Sequence, residues 1–363
     1  MPVKARVRKN RVMTVLRVAT CQFPVSADMG ENAGWMTRQM REAARQGARV
    51  AHFPEGALSG YAGSDFETFT GYDWDALDRA TARIRQHAGE LGIWVVAGSA
   101  HRFSDVSAPH NSLYVISDSG EVAERYDKRF LGCTDLDHYS PGSHFSTWVI
   151  DGIRCGALIC YDYRFPEMYR HYVTLDVRLM FHSFHAAHAS PERVAAIGAA
   201  IGPQYAPLNP AATLTYPGIT MPAVMTASAA CNNMWISCPN SSAPESLWPA
   251  FFVRSDGITT GRLERNVPGV LISTVDTEQD LYDSTGPWRN RAIAGILHSG
   301  DLAEDDARQR ERLDWALSAA RSVQVELPGA LTPEHDRDVA AYIDGEISAA
   351  ELYRRTVARY RQP

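Results

Sequence analysis

The stretch that most constrains this chain is Leu158-Ile159-Cys160-Tyr161-Asp162-Tyr163-Arg164-Phe165-Pro166-Glu167-Met168-Tyr169-Arg170. It follows the apolar runs Trp148-Val149-Ile150 and Ala157-Leu158-Ile159, which read as a buried strand or strand pair. Pro166 has no N–H to give a sheet ladder, so the strand must stop near Cys160, and Pro166-Glu167 suits the first turn of a helix. A cysteine at such a strand-to-helix turn offers its sulfur to a cleft beside backbone N–H groups, which is how a nucleophile is presented. Taken alone, Cys160 reads as a buried structural cysteine. Its company in the sequence changes that reading.

Two earlier segments have the same character. In Ala51-His52-Phe53-Pro54-Glu55-Gly56-Ala57-Leu58-Ser59-Gly60-Tyr61 an apolar strand ends in a carboxylate beside glycine. In Tyr126-Asp127-Lys128-Arg129-Phe130-Leu131-Gly132 a lysine follows a strand. Singly, Glu55 reads as a helix cap and Lys128 as a surface charge. Together, a carboxylate, an ammonium and a thiol at strand ends fit convergence at one sheet edge.

These three motifs in register resemble the nitrilase superfamily of carbon–nitrogen hydrolases. Smaller echoes are Gln22-Phe23-Pro24-Val25 before Asp28 and Asn32, Asn111-Ser112 before Lys128, and Ser140-Pro141-Gly142 after it. The resemblance covers roughly residues 14–295. It implies an α/β fold, a four-layer α–β–β–α sandwich of the nitrilase type, and a homodimer or larger homo-oligomer. It also implies a Glu–Lys–Cys triad at Glu55, Lys128 and Cys160.

In that reading Glu55 takes the thiol proton, and Lys128 stabilises the thiolate. The ammonium and the Tyr161 backbone N–H receive the oxyanion, and a thioester forms on Cys160. No metal or organic cofactor is needed. Relatives place a second glutamate a few residues past the lysine. Here that position falls on Asp135, one methylene shorter, with Asp137 as a rival. The residues after Cys160 look more like the amidase branches than the true nitrilases. Arg164 suits a substrate carboxylate but equally a brace for Glu167 or Asp162. The stretch Phe181-His182-Ser183-Phe184-His185-Ala186-Ala187-His188 borders the substrate pocket in relatives. Its histidines suit pocket-lining or hydrogen-bonding roles better than metal ligation, because no carboxylate or cysteine pattern joins them. Tyr61, Tyr161, Arg164, His182, Ser183 and His185 are the expected substrate-binding residues.

The expected activity is a cysteine-dependent hydrolase acting on a small carboxamide or N-carbamoyl compound. One alternative is an acyltransferase that passes the acyl group to an amine. Another is a catalytically silent protein that binds a partner through its C-terminal helices.

Composition narrows the setting. With 363 residues, 45% hydrophobic and 21% charged, the chain can bury a substantial core, and a net charge of −6 argues against a nucleic-acid surface. Six cysteines without a C-x-x-C pair fit a reducing, cytoplasmic setting, and no apolar run approaches membrane-spanning length. Residues 1–13 read as a basic arm and 14–298 as the hydrolase domain. Residues 299–363 read as a charged linker followed by a helical extension, with a capping box at Ser348 and Glu351. Within the core, strands and helices alternate up to Phe184. A loop of about 20 residues is then expected before a helix from Pro222 to Ala230.

Overall fold

The computed structural model describes residues 15–104, 107–132, 134–185, 191–201, 216–244, 246–301, 310–315, 318 and 333–360. The chain divides into two compact units, Met1–Gly295 and Ile296–Pro363.

The first unit holds two six-stranded sheets built to one plan. Val15–Gln22 (β1), Val50–His52 (β2) and Trp94–His101 (β3) run parallel, linked by the helices Met29–Arg45 (α1) and Trp74–Leu91 (α2). His110–Ile116 (β4) and Val122–Asp127 (β5) extend this sheet as an antiparallel hairpin. In the second sheet Thr147–Ile150 (β6) pairs antiparallel with Ile153–Ile159 (β7), so the apolar run before Cys160 is a strand pair. Leu179–Ser183 (β8) and Trp235–Cys238 (β9) lie parallel to β7, with Pro166–Thr174 (α3) joining β7 to β8. Phe251–Val253 (β10) and Thr259–Arg262 (β11) close this sheet, and Gly269–Asp276 (β12) returns to pair antiparallel with β1.

The sandwich follows from the period-two alternation of strands. Leu16, Val18, Val50, Val96, Leu113 and Val115 face the second sheet and share one core with it. The intervening Ala19, Cys21, Ala51, Val95 and Ala97 face α1 and α2. The helices answer at helical spacing with Met36, Met40, Ala43, Leu77, Ile84 and Ala88, all buried. Full burial of a side chain such as Met36 stabilises by about 1.5–3 kcal/mol. Asp28 and Asp73 start the two helices by accepting from Glu31 N at 2.9 Å and Ala76 N at 2.8 Å.

The region after β8 departs from expectation. Pro191–Ile201 (α4) is a helix, opened by a proline suited to a first turn and followed by an alanine-rich run, and most of the loop expected before Pro222 lies at residues 202–215, outside the described residues. The next helix, Tyr216–Asn232 (α5), starts before Pro222 and carries it inside. Met221, Met225 and Ala229 are buried one turn apart, and their packing outweighs the bond that Pro222 cannot make.

In the second unit the helices Pro333–Ile343 and Ala349–Tyr360 bury Tyr342 and Leu352 together with Val339, Ile347 and Ala349. Glu351 N donates to Ser348 Oγ at 3.2 Å, one half of the expected capping box. The basic arm and most of the charged linker lie outside the described residues. No helix among the described residues is long and apolar enough to cross a membrane.

One glycine shows how tightly the sheet holds the Glu55 loop. A Cβ on Gly98 of β3 would lie 2.1 Å from the Pro54 carbonyl oxygen and 2.6 Å from Gly56 N. Gly98→Ala should therefore destabilise by about 2–3 kcal/mol in urea unfolding. Gly34→Ala, on α1 with only an arginine tip at 3.5 Å, should be stabilising by about 0.5–1 kcal/mol. Equal effects at the two sites would contradict the close approach.

Candidate active site

Glu55 and Cys160 leave the C-terminal ends of β2 and β7, and Lys128 leaves β5, which runs the same way as β3. The three side chains meet where ligands bind in parallel sheets. Lys128 Nζ is 2.9 Å from Glu55 Oε1 and 2.8 Å from Asp135 Oδ2. It also lies 3.3 Å from the Tyr61 hydroxyl, which donates to Asp135 Oδ1 at 2.7 Å. The ammonium is 1% exposed, so these oxygens replace its water. Burial opposes its charge, yet Glu55 and the neighbouring anionic groups, Asp135 among them, hold it well above the ordinary lysine range. Burial likewise works against an ionised Asp135, but Lys128 keeps that carboxyl below its usual value.

Glu55 is fixed from both sides. Asn111 Nδ2 donates to its Oε1 at 2.7 Å, and the His185 backbone N–H donates to its Oε2 at 2.9 Å. The Cys160 thiol is raised well above the ordinary range, first by burial and then by the charge of the Glu55 carboxylate; Lys128 offsets only part of this. On this balance Cys160 rests as a thiol rather than a thiolate.

The turn carrying Cys160 is strained. Its φ is +40°, a left-handed value that costs a non-glycine residue about 1–3 kcal/mol. Asp162, in the 3₁₀ turn Cys160–Arg164, holds that turn. Its carboxylate accepts from Ile159 N at 3.0 Å, Phe130 N at 2.9 Å and the Tyr126 hydroxyl at 2.8 Å. Burial still pushes the Asp162 carboxyl up to about 6 against these bonds. One buried group thus joins the cysteine turn to the segment just past Lys128.

A cleft of about 580 Å³ opens over this cluster, and Tyr61, Lys128, Asp135, Cys160, Tyr161 and Arg164 are on its wall. Asp135, not Asp137, meets Lys128. The 3₁₀ turn Asp135–Asp137 carries Asp135 inward, while Asp137 lines the mouth, exposed. His185 also lines the cleft, and its Nε2 is 3.0 Å from Asp65 Oδ2. Burial disfavours charge on this ring, but Asp65 raises its affinity for a proton.

His182 and Ser183 are not on the wall. His182 is fully buried behind the cysteine, between the Tyr169 hydroxyl at 2.5 Å and the Cys160 carbonyl at 3.1 Å. A carbonyl only accepts, so His182 donates from Nε2 and accepts at Nδ1. Ser183 is buried between the sheets. His188, like Cys133, lies outside the described residues. Asp65 and Asp162 complete the site without a local sequence signal for their roles.

The model of the carbon–nitrogen hydrolase family matches residues 17–279. The chain belongs to this family, within the nitrilase superfamily. Human omega-amidase NIT2 is 29% identical over 177 residues, which is 46% of this chain and 63% of that protein. The 2-oxoglutaramate amidase of Bacillus subtilis is 32% identical over 124 residues, 31% of this chain and 47% of that protein. The match thus spans less than two thirds of either relative. An amidase from Nesterenkonia sp. shares the fold of this carbon–nitrogen hydrolase with a TM-score of 0.60 at 19% identity, over 81% of this chain and 100% of that one.

The buried His182 gives a pH signature. Burial depresses it to about 3, against an ordinary value near 6.5. Between these values the unfolded chain binds the proton and the folded chain does not. The stability contributed by neutral His182 is complete above about pH 6.5 and is lost as pH falls toward 3. Relative to His182→Gln, the wild-type protein should lose up to about 1.4 kcal/mol of urea stability per pH unit in this window. Parallel curves for the two proteins would place His182 in water.

Proposed function

We propose that this protein hydrolyses a small carboxamide through a thioester on Cys160. The observation that carries this reading is the buried Lys128 ammonium, held by Glu55 and Asp135 on the wall of the cleft that Cys160, a thiol raised above its ordinary range, also lines. A thiol of this kind does not attack as a resident thiolate. Its proton passes to Glu55 as sulfur approaches the amide carbon. The carbonyl oxygen becomes an oxyanion, met by Lys128 Nζ and the Tyr161 backbone N–H. Protonated Glu55 then gives its proton to the amide nitrogen, the C–N bond breaks, and ammonia leaves a thioester on sulfur. Water attacks next and gives its proton to Glu55, so the carboxylic acid departs and the thiol is restored. Asp135 and Tyr61 keep Lys128 aimed at the cleft throughout.

The cleft also favours a carboxamide that carries a carboxylate. Lys128 and His185 are already committed to Glu55, Asp135 and Asp65. Arg164 is exposed on the same wall and has no ion pair among the described residues; its guanidinium lies 4.6 Å from the Tyr163 ring centroid. A planar guanidinium held in this way suits a carboxylate. The activities named for the two relatives, omega-amidase and 2-oxoglutaramate amidase, support the same class.

The test is ammonia release from butyramide and from succinamate. Cys160→Ala should abolish both activities in a folded protein. Arg164→Met should raise KM for succinamate by about tenfold and leave butyramide within about twofold. Turnover by Cys160→Ala would end the thioester mechanism. Equal effects of Arg164→Met on the two amides would remove the carboxylate reading alone.

A further inference from the structure

Between the two sheets, where apolar packing would be expected, four fully buried polar side chains form a chain of hydrogen bonds. Thr20 Oγ1 is 2.7 Å from Ser237 Oγ, which is 2.9 Å from His52 Nδ1. His52 Nε2 is 2.8 Å from Ser183 Oγ, which donates to the Phe53 carbonyl at 2.8 Å. The direction of every bond follows from counting protons. The Ser183 proton goes to Phe53, because a carbonyl only accepts. His52 must therefore donate from Nε2 and accept at Nδ1 from Ser237. The Ser237 proton is then used, so Thr20 donates to it. Burial keeps His52 neutral, which this pattern requires.

The wire ends at a telling place. Phe53 is the first residue past β2, and Pro54, which has no N–H, separates it from Glu55. Three successive residues at the end of β8 then grip this segment. Ser183 holds the Phe53 carbonyl, the Phe184 carbonyl accepts from Glu55 N at 3.3 Å, and His185 N holds the Glu55 carboxylate at 2.9 Å. The preceding residue, His182, holds the Cys160 carbonyl. One strand end therefore sets the base of one sheet against the nucleophile of the other. Of the three bonds to the Glu55 segment, only that from Ser183 is made by a side chain.

We infer that Ser183, kept in its donating orientation by His52, Ser237 and Thr20, is a positioning residue that aims Glu55 at Cys160. The inference rests on the amidase reading, and it gives polar residues of the sheet interface a kinetic role. Without the Ser237 hydroxyl, the tautomer of His52 is no longer fixed. The Ser183 proton is then free to turn toward His52 and release the Phe53 carbonyl.

The experiment follows Cys160 alkylation by chloroacetamide and amide turnover in wild type, Ser183→Ala, Ser183→Thr and Ser237→Ala, each below its melting temperature. Ser183→Ala should slow alkylation and lower kcat by about tenfold or more with KM within about twofold. Ser183→Thr, which keeps the hydroxyl, should recover most of both. Ser237→Ala, one residue further along the wire, should show a smaller loss of the same kind. It also provides the test if Ser183→Ala does not fold. Alkylation and kcat at wild-type values in the alanine variants, whatever their melting temperatures, would overturn the inference and leave the amidase reading standing. A wild-type Cys160 inert to chloroacetamide would overturn both.

Discussion

Everything at this site depends on an ammonium taken out of water. Lys128 is almost fully buried, and desolvating a charge of that size costs several kcal/mol unless it is matched. Two carboxylates within 2.9 Å and a tyrosine hydroxyl supply the match. Those partners come from the ends of different strands, so the charge is satisfied only when the first sheet and the turn bearing Asp135 are in place. Removing one partner of such a buried cluster typically costs about 3–5 kcal/mol, because the remaining charges stay buried. The interaction that serves the chemistry is therefore also a condition for closing the cleft.

The same arrangement sets how the cysteine can work. One ammonium between two carboxylates leaves the cluster short of positive charge, so it does not support a second resident anion on sulfur. Burial and Glu55 keep the proton on the thiol. In the proposed mechanism the base acts only as the bond to carbon forms, and its position matters more than its strength. This accounts for the density of fixing contacts. Asn111 and His185 N hold the carboxylate, Asp162 holds the left-handed cysteine turn, and His182 holds the Cys160 carbonyl.

Glu55, Lys128 and Cys160 were legible in the sequence because each follows an apolar strand and sits among glycine, proline or polar turn residues. The alternating strands and the helices of the first sheet were legible for the same local reason. His182 and Ser183 were not, because β8 is buried along its whole length and shows no alternation to tell one face from the other. Asp65 reaches His185 across 120 residues of chain, a pairing that no local pattern announces. Pro222 misled in the opposite direction. By local rules it marks a helix start, but the helix begins at Tyr216, and tertiary burial of Met221 and Met225 carries it through Pro222. Asp135 and Asp137 could not be separated from spacing, because only the 3₁₀ turn decides which carboxylate faces Lys128.

The central claim is a neutral thiol that loses its proton only to Glu55 during attack. The most direct measurement is a pH titration of thiolate ultraviolet absorbance, taken as wild type minus Cys160→Ser. The account predicts no thiolate signal at neutral pH and an onset well above the ordinary thiol range near 8.5. A full thiolate signal from Cys160 at or below neutral pH would contradict it, because the sulfur would then be an ion-pair nucleophile with no proton for Glu55 to take.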